Sequence, residues 1–310
     1  MWTIKKGNIR FLFVMKRLLL LTIPVLLGGL PHQGQAQTGL AISELLYQPK
    51  SGEAEYVELY NNSSSDVDLS GFHIVRVLHD TLATHYPLPQ FTLGAHQYAV
   101  LTGDGASVMA NYRVEHPARL IECHLPPYPN SGGSVVLCTA DGVVVERFDY
   151  SPSMHSRLLR DKAGVSLERR SFERGADEVS NWYSASSTSG YGTPTAPNTQ
   201  SSEWLVEENS FSFSSPTLSP DGDNYQDELE IDYRLEASDL AARAEVYDSR
   251  GQMVRRLLNG DILGTAGTLR WDGKDQAGGL LPMGQYLVMI TLYNTAGTRQ
   301  TLRRTVAVVR

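Results

Sequence analysis

The sequence predicts an all-β protein, and three observations carry that prediction. Short apolar stretches alternate with polar residues at a period of two, as strands with one buried face do. Turn-forming residues punctuate them at close intervals, and the chain holds 27 Gly and 15 Pro. No stretch sustains a long helical period; the one short candidate is Ser107 to Tyr112.

The elements are taken in order. Met1 to Ala36 reads as a secretory signal, with Lys16-Arg17 as its charged start and Leu18 to Leu30 as its apolar core. Gly34-Gln35-Ala36 supplies small residues for cleavage, so the exported chain is expected to begin near Gln37. The alternative is a membrane anchor, but the apolar run is shorter than the ~20 residues a spanning helix needs. Losing Lys5, Lys6, Arg10, Lys16 and Arg17 takes the formal charge from −7 to −12. That field repels nucleic acid and acidic lipid at long range.

The central stretch is Ile42 to Ile74. In Tyr56-Val57-Glu58-Leu59-Tyr60, Val57 and Leu59 point to one face and Glu58 to the other, as in a half-buried strand. Asn61-Asn62-Ser63-Ser64-Ser65 is a turn whose side chains bond their own backbone. Val67 and Leu69 resume the rhythm, Ser70-Gly71 bends the chain, and Phe72 to Val75 opens the next strand. Further on, Gln97 to Leu101 is a strand. Ser134 to Cys138 and Val143 to Phe148 flank Asp141-Gly142, a hairpin signal. Thr199 to Asn209 is polar and acidic and reads as a linker that buries little, so that residues 37–200 and 201–310 form separate domains. Beyond it lie strands at Glu230 to Tyr233, Ala244 to Tyr247, Gly284 to Ile290 and Thr305 to Val309.

The wording of these segments is more specific than their spacing. Glu44-Leu45, Glu55 and Glu58 with Leu59-Tyr60-Asn61, and Val67 to Phe72 together resemble the bacterial lamin-tail domain. The resemblance continues at Asn130 to Gly133, Gly164 to Arg169 and Asn181-Trp182, and closes at Gly192-Thr193-Pro194-Thr195-Ala196-Pro197-Asn198. It departs at Thr195, where the family often has Gly. Leu218 to Asp223, Tyr247 to Arg255, Trp271 to Asp275 and Pro282 to Tyr286 resemble the Ig-like domain of flagellar hook-capping proteins. The same words recur in C-terminal sorting domains of Bacteroidetes type IX secretion cargo. Asn224 stands where the family's second Gly would be. The two resemblances imply two Ig-like β-sandwich domains in tandem after a signal peptide.

Chemistry is sparse. The chain has no G-x-x-x-x-G-K-[ST], H-E-x-x-H, G-x-S-x-G or C-x-x-C. The eight His are scattered, none at ligand spacing with another, and a lone His such as His73 reads as a surface or packed residue. No catalytic residue and no organic cofactor is assigned. Asp221, Asp223, Asp227 and Glu228 fall within eight residues, a candidate calcium loop; the alternative is a set of Asx-turns opening a strand. Cys123 and Cys138 are the only cysteines, and an oxidising compartment favours their pairing over two buried thiols. Arg157, Arg160, Lys162, Arg169, Arg170 and Arg174 interleave with Asp161, Glu168 and Glu173. They read as a solvated face before a glycan-binding patch. Trp182 and Trp271 read as core residues.

The resemblances imply an exported, non-enzymatic protein of the cell surface or extracellular space, with the periplasm as the alternative. Its partners would be a surface protein or glycan and the outer-membrane secretion machinery, and not nucleic acid. The rival is an accessory module acting in trans with a secreted nuclease or phosphatase.

Overall fold

The structure, a computed structural model, describes residues 39–297 and 299–309; the expected signal segment and its cleavage site lie outside them. The described residues of the first half form twelve strands. They are β1 (Leu40–Leu46), β2 (Tyr56–Asn61), β3 (Val67–Asp68), β4 (Phe72–Leu78), β5 (Thr81–Pro87) and β6 (Thr92–Leu93). After them come β7 (Tyr98–Thr102), β8 (Leu120–Glu122), β9 (Gly133–Thr139), β10 (Val144–Tyr150), β11 (Leu167–Arg169) and β12 (Trp182–Ser184). One short helix, α1 (Gly105–Asn111), replaces the helical turn expected from Ser107, and the Asp104 carboxylate caps it by accepting from the Ser107 N–H.

A six-stranded sheet, β12-β11-β1-β2-β7-β8, packs on a four-stranded one, β10-β9-β4-β5. Alternate residues of both meet in one core that includes Ile42, Leu59, Ile74, Leu137, Phe148 and Trp182. Trp182 stacks on Phe148 with ring centroids 3.6 Å apart, and its indole N–H donates to the Ala176 carbonyl. It is the core residue its sequence context predicts. Gly142 takes the expected turn between β9 and β10 at φ +83°.

The second half continues as β13 (Ser210–Phe213), β14 (Thr217–Leu218), β15 (Leu229–Arg234), β16 (Leu240–Tyr247), β17 (Met253–Leu263), β18 (Ala266–Trp271), β19 (Gly284–Tyr293) and β20 (Arg299–Val308). The sheets β13-β15-β18 and β14-β20-β19-β16-β17 close on a second core that includes Ile231, Val246, Trp271, Val288 and Val306. Both resemblance-breaking positions prove to be left-handed: Thr195 at φ +70° and Asn224 at φ +67°. Asn tolerates that region; a β-branched residue does not, so Thr195 is held there by its surroundings.

The segment expected to be an unburied linker is pinned at its start. Gln200 is fully buried, and its amide donates to the carbonyls of Ser184 and Leu263, one in each half. The Thr265 N–H donates to the Thr199 carbonyl at 2.8 Å, and its hydroxyl to the Ser201 carbonyl at 2.8 Å. Tyr233 and Thr188 meet hydroxyl to hydroxyl at 2.9 Å. A polar linker can be buried when most of its groups find partners; the Gln200 Oε1 is buried here without one. Among the described residues no helix is long and apolar enough to cross a membrane.

Candidate functional site

The period-two reading of β2 required Glu58 to face solvent. It does not: Glu44, Glu58 and Glu168 are all fully buried. The register explains how they meet. Glu44 pairs with Glu58 across β1–β2 and with Glu168 across β1–β11, so the three side chains share one face of the six-stranded sheet. That face is covered by residues 191–200, which include the closing motif Gly192 to Asn198.

That segment supplies most of the donors, and Tyr56 and Ser166 supply the others. Glu44 accepts from the Tyr56 hydroxyl (2.7 Å), the Ser166 hydroxyl, and the Thr193 N–H (3.0 Å) and hydroxyl (3.1 Å). Glu168 accepts from the Thr199 hydroxyl (2.7 Å) and the Gln200 N–H (2.9 Å). Glu58 accepts from the Thr195 N–H (2.6 Å), while its Oε1 is buried without a hydrogen-bond partner. Thr195 thereby earns its strained backbone, since its hydroxyl also accepts from the His116 N–H at 2.9 Å.

Among the described residues no Lys, Arg or His forms an ion pair with any of the three. Three uncompensated buried carboxylates are prohibitively costly, so the cluster must hold protons. The Thr193 hydroxyl locates one. Its oxygen sits 3.1 Å from Glu44 Oε2, 3.0 Å from Glu168 Oε1 and 3.4 Å from Asn198 Oδ1, yet a hydroxyl has a single hydrogen to give. One of the two carboxyls must therefore donate to it. Burial first, then the Glu44 charge, pushes Glu168 up to about 8. The same two causes raise Glu58 well above the usual carboxylate range. Glu44 is raised by burial against the pull of its four donors. We assign the shared proton to Glu168 and the charge to Glu44, which has the most donors.

A second buried device crosses the sandwich. Arg169 is 3% exposed; its guanidinium pairs with Glu146 of β10 at 2.8 Å and donates to the carbonyls of Ile42, Ser171 and Arg174. Glu146 in turn accepts from the Ile42 N–H at 2.6 Å. The pair grips β1 where its register with β2 shifts, between Ile42 and Glu44. Arg169 thus leaves the basic run, and its neighbours disperse: Arg174 pairs with Glu178, Arg160 reaches the Asn259 carbonyl, and Lys162 the Pro152 carbonyl.

The other sequence-predicted positions are placed as follows. Asp221, Asp223 and Asp227 converge, with one carboxylate oxygen of each within 4.8 Å of the others. Glu228 does not join them; it faces Arg270 at 3.6 Å. Two of the aspartates make the expected Asx-turns, Asp221 accepting from the Asp223 N–H and Asp223 from that of Tyr225, while Asp227 reaches back to accept from the N–H of Gly222 and of Asn224. The disulfide weighed for Cys123 and Cys138 is not present; both are free thiols. Cys138 packs with Val75 and Val136 on the outward face of the four-stranded sheet, whereas Cys123 packs against the inner core, so the sheet separates them. Burial pushes the Cys123 thiol up to about 11.

A cleft of about 570 Å³ opens between the halves beside the closing motif. Arg113, Glu115, Ser189, Gly190, Thr268 and Arg270 line it. Arg270 is engaged by Glu230 at 2.8 Å.

Comparison with known proteins follows the division of the cores. Residues 33–152 match the Lamin Tail Domain model, and residues 215–296 match the FlgD Ig-like domain model. Strands β11 and β12 lie beyond the first match yet complete the same six-stranded sheet, and the closing motif, also beyond it, bonds to that sheet's buried carboxyls. Among solved structures, FlgD from P. aeruginosa is similar at 22% identity over 33% of this chain and 76% of that one, TM-score 0.24. FlgD from Xanthomonas campestris is similar at 23% identity over 33% and 71%, TM-score 0.18. PorU from Porphyromonas gingivalis is similar at 11% identity over 87% of this chain but 20% of its own, TM-score 0.26. None of the curated proteins matches. The chain is thus similar to a lamin tail domain over residues 33–152 and to a FlgD Ig-like domain over residues 215–296.

Proposed function

We propose that this is an exported, non-enzymatic surface protein, in which the lamin-tail half makes the contacts and the FlgD-like half serves export or anchoring. The observation that carries the reading is the placement of the perturbed carboxyls. Strongly shifted groups usually mark a reactive cleft. Here they are sealed under residues 191–200, where their donors are spent on holding the sheet and its cover together. Two tandem Ig-like domains fit such a binding role, although fold alone does not fix function. Strand β20 suits an anchoring role: β14 pairs only with its last residues, Ala307 and Val308, leaving the rest of that edge open to a partner strand.

The test is proteinase shaving of intact cells expressing the tagged chain. Loss of the tag on the outside supports surface display. Full protection, with release only on opening the periplasm, contradicts it and favours the accessory role in trans.

The same reading takes the Asp221, Asp223 and Asp227 loop as a weak calcium site of the extracellular kind. Millimolar calcium, the order at which such modules bind, is expected to raise the melting temperature, with Asp223→Ala abolishing the rise. Indifference to calcium and to chelator removes the metal.

A further inference from the structure

The sequence places no two histidines at ligand spacing, but the β4–β5 hairpin brings two together. His85 stands opposite Val75, and His73 lies two residues before Val75 on β4. Both therefore project from the same face of the sheet, as diagonal cross-strand neighbours. Their Nδ1 atoms are 3.3 Å apart, with ring centroids at 5.5 Å and planes at 79°. His73 is half-buried and His85 exposed, so solvent and ions reach them.

We propose that His73 and His85 form a binding site for a divalent transition-metal ion of the zinc class. Three features point to it. Two nitrogens bound to one tetrahedral zinc at about 2.0–2.1 Å lie roughly 3.3–3.4 Å apart. The observed separation matches that without a change of backbone. Second, the contact as it stands needs one ring to donate and the other to accept, so a single proton bridges the two nitrogens. A divalent ion takes the place of that proton and binds both lone pairs at once. Third, β4 is paired along both of its edges: with β5 from His73 opposite Pro87 to Leu78 opposite Thr81, and with β9 from Phe72 to Val75. Ligands on paired strands are pre-positioned, which lowers the ordering cost of binding.

Among the described residues no third His, Cys, Asp or Glu joins the pair. Asp80, on the turn of the hairpin, faces Arg147 at 3.4 Å. Cys138 stands opposite His73 on β9, but its thiol is enclosed with Val75 and Val136, and burial pushes it up towards the neutral form. Water would complete the coordination, leaving open positions for a donor from another molecule. Imidazole ligands select zinc, copper or nickel over calcium or magnesium, so the site is chemically distinct from the aspartate loop.

The experiment is calorimetric titration of the reduced full chain with zinc chloride at neutral pH, for the unmodified protein, His73→Ala, His85→Ala and Asp223→Ala. Both histidines project outward, so their replacement leaves the cores intact; a matching thermal transition without metal verifies this. One equivalent of zinc is expected to bind the unmodified protein and Asp223→Ala alike. Either histidine substitution should weaken it at least tenfold. Equal binding by the histidine variants, or no saturable zinc binding by the unmodified protein, overturns the assignment.

Discussion

Between pH 6.5 and 8.5 the folded chain is expected to lose stability steadily. The folded state holds protons on Glu168 and Glu58 that the unfolded state releases above the ordinary carboxyl value of 4.5. A group raised on folding contributes its stability in full below its unfolded value, and that contribution is lost as pH climbs through the folded one, about 8 for Glu168. The slope approaches about 1.4 kcal/mol per pH unit for each proton still held. The window matters because buried His155 acts with the opposite sign. Burial lowers it from 6.5 to about 4, so it adds stability as pH rises between those values and offsets the glutamates there. Glu168→Gln provides the control. Its amide oxygen can accept from Thr199 and Gln200 while its nitrogen donates to the Thr193 hydroxyl, reproducing the protonated acid. Urea unfolding across the window should show a flatter slope for Glu168→Gln; an unchanged slope refutes the proton on Glu168.

Arg169→Ala should be among the most destabilising single substitutions in the lamin-tail half, at about 3–5 kcal/mol. It strands Glu146, 14% exposed, with the Ile42 N–H as its remaining short contact, and it orphans the carbonyls of Ile42, Ser171 and Arg174. Arg169→Lys should not rescue it, because one ammonium cannot span a carboxylate and three carbonyls in these directions. Arg147→Ala, which removes an exposed pair with Asp149 and Asp80, should cost less than about 1 kcal/mol. Comparable losses for Arg147 and Arg169 would show that the buried clamp contributes nothing special.

The strands were legible where alternation was clean. Tyr56 to Tyr60, Ser134 to Cys138 and Gly284 to Ile290 all fall inside strands, because one buried face imposes a period of two. β17 was not, since Met253–Leu263 carries Arg255, Arg256, Asn259 and Asp261 and shifts register against β16 three times. The residues of the buried cluster were all in the motifs, but their burial was not. Glu58 alternates with Val57 and Leu59 as a solvent-facing residue would, and its cover lies more than 130 residues away, Thr195 being separated from it by 137. Local pattern reports which face a side chain takes, not what later covers that face. The same limit hid the meeting of His73 with His85, which depends on hairpin register rather than spacing.

The central claim is that Glu44, Glu58 and Glu168 form a buried carboxyl layer that stays partly protonated at neutral pH. Carbon-13 NMR of labelled glutamate side chains measures this directly. At pH 6 the account predicts Glu168 and Glu58 with the shifts of neutral acids and Glu44 with that of a carboxylate, Glu168 titrating near 8. Three ionised carboxylates at pH 6, each titrating in the ordinary range, would contradict it.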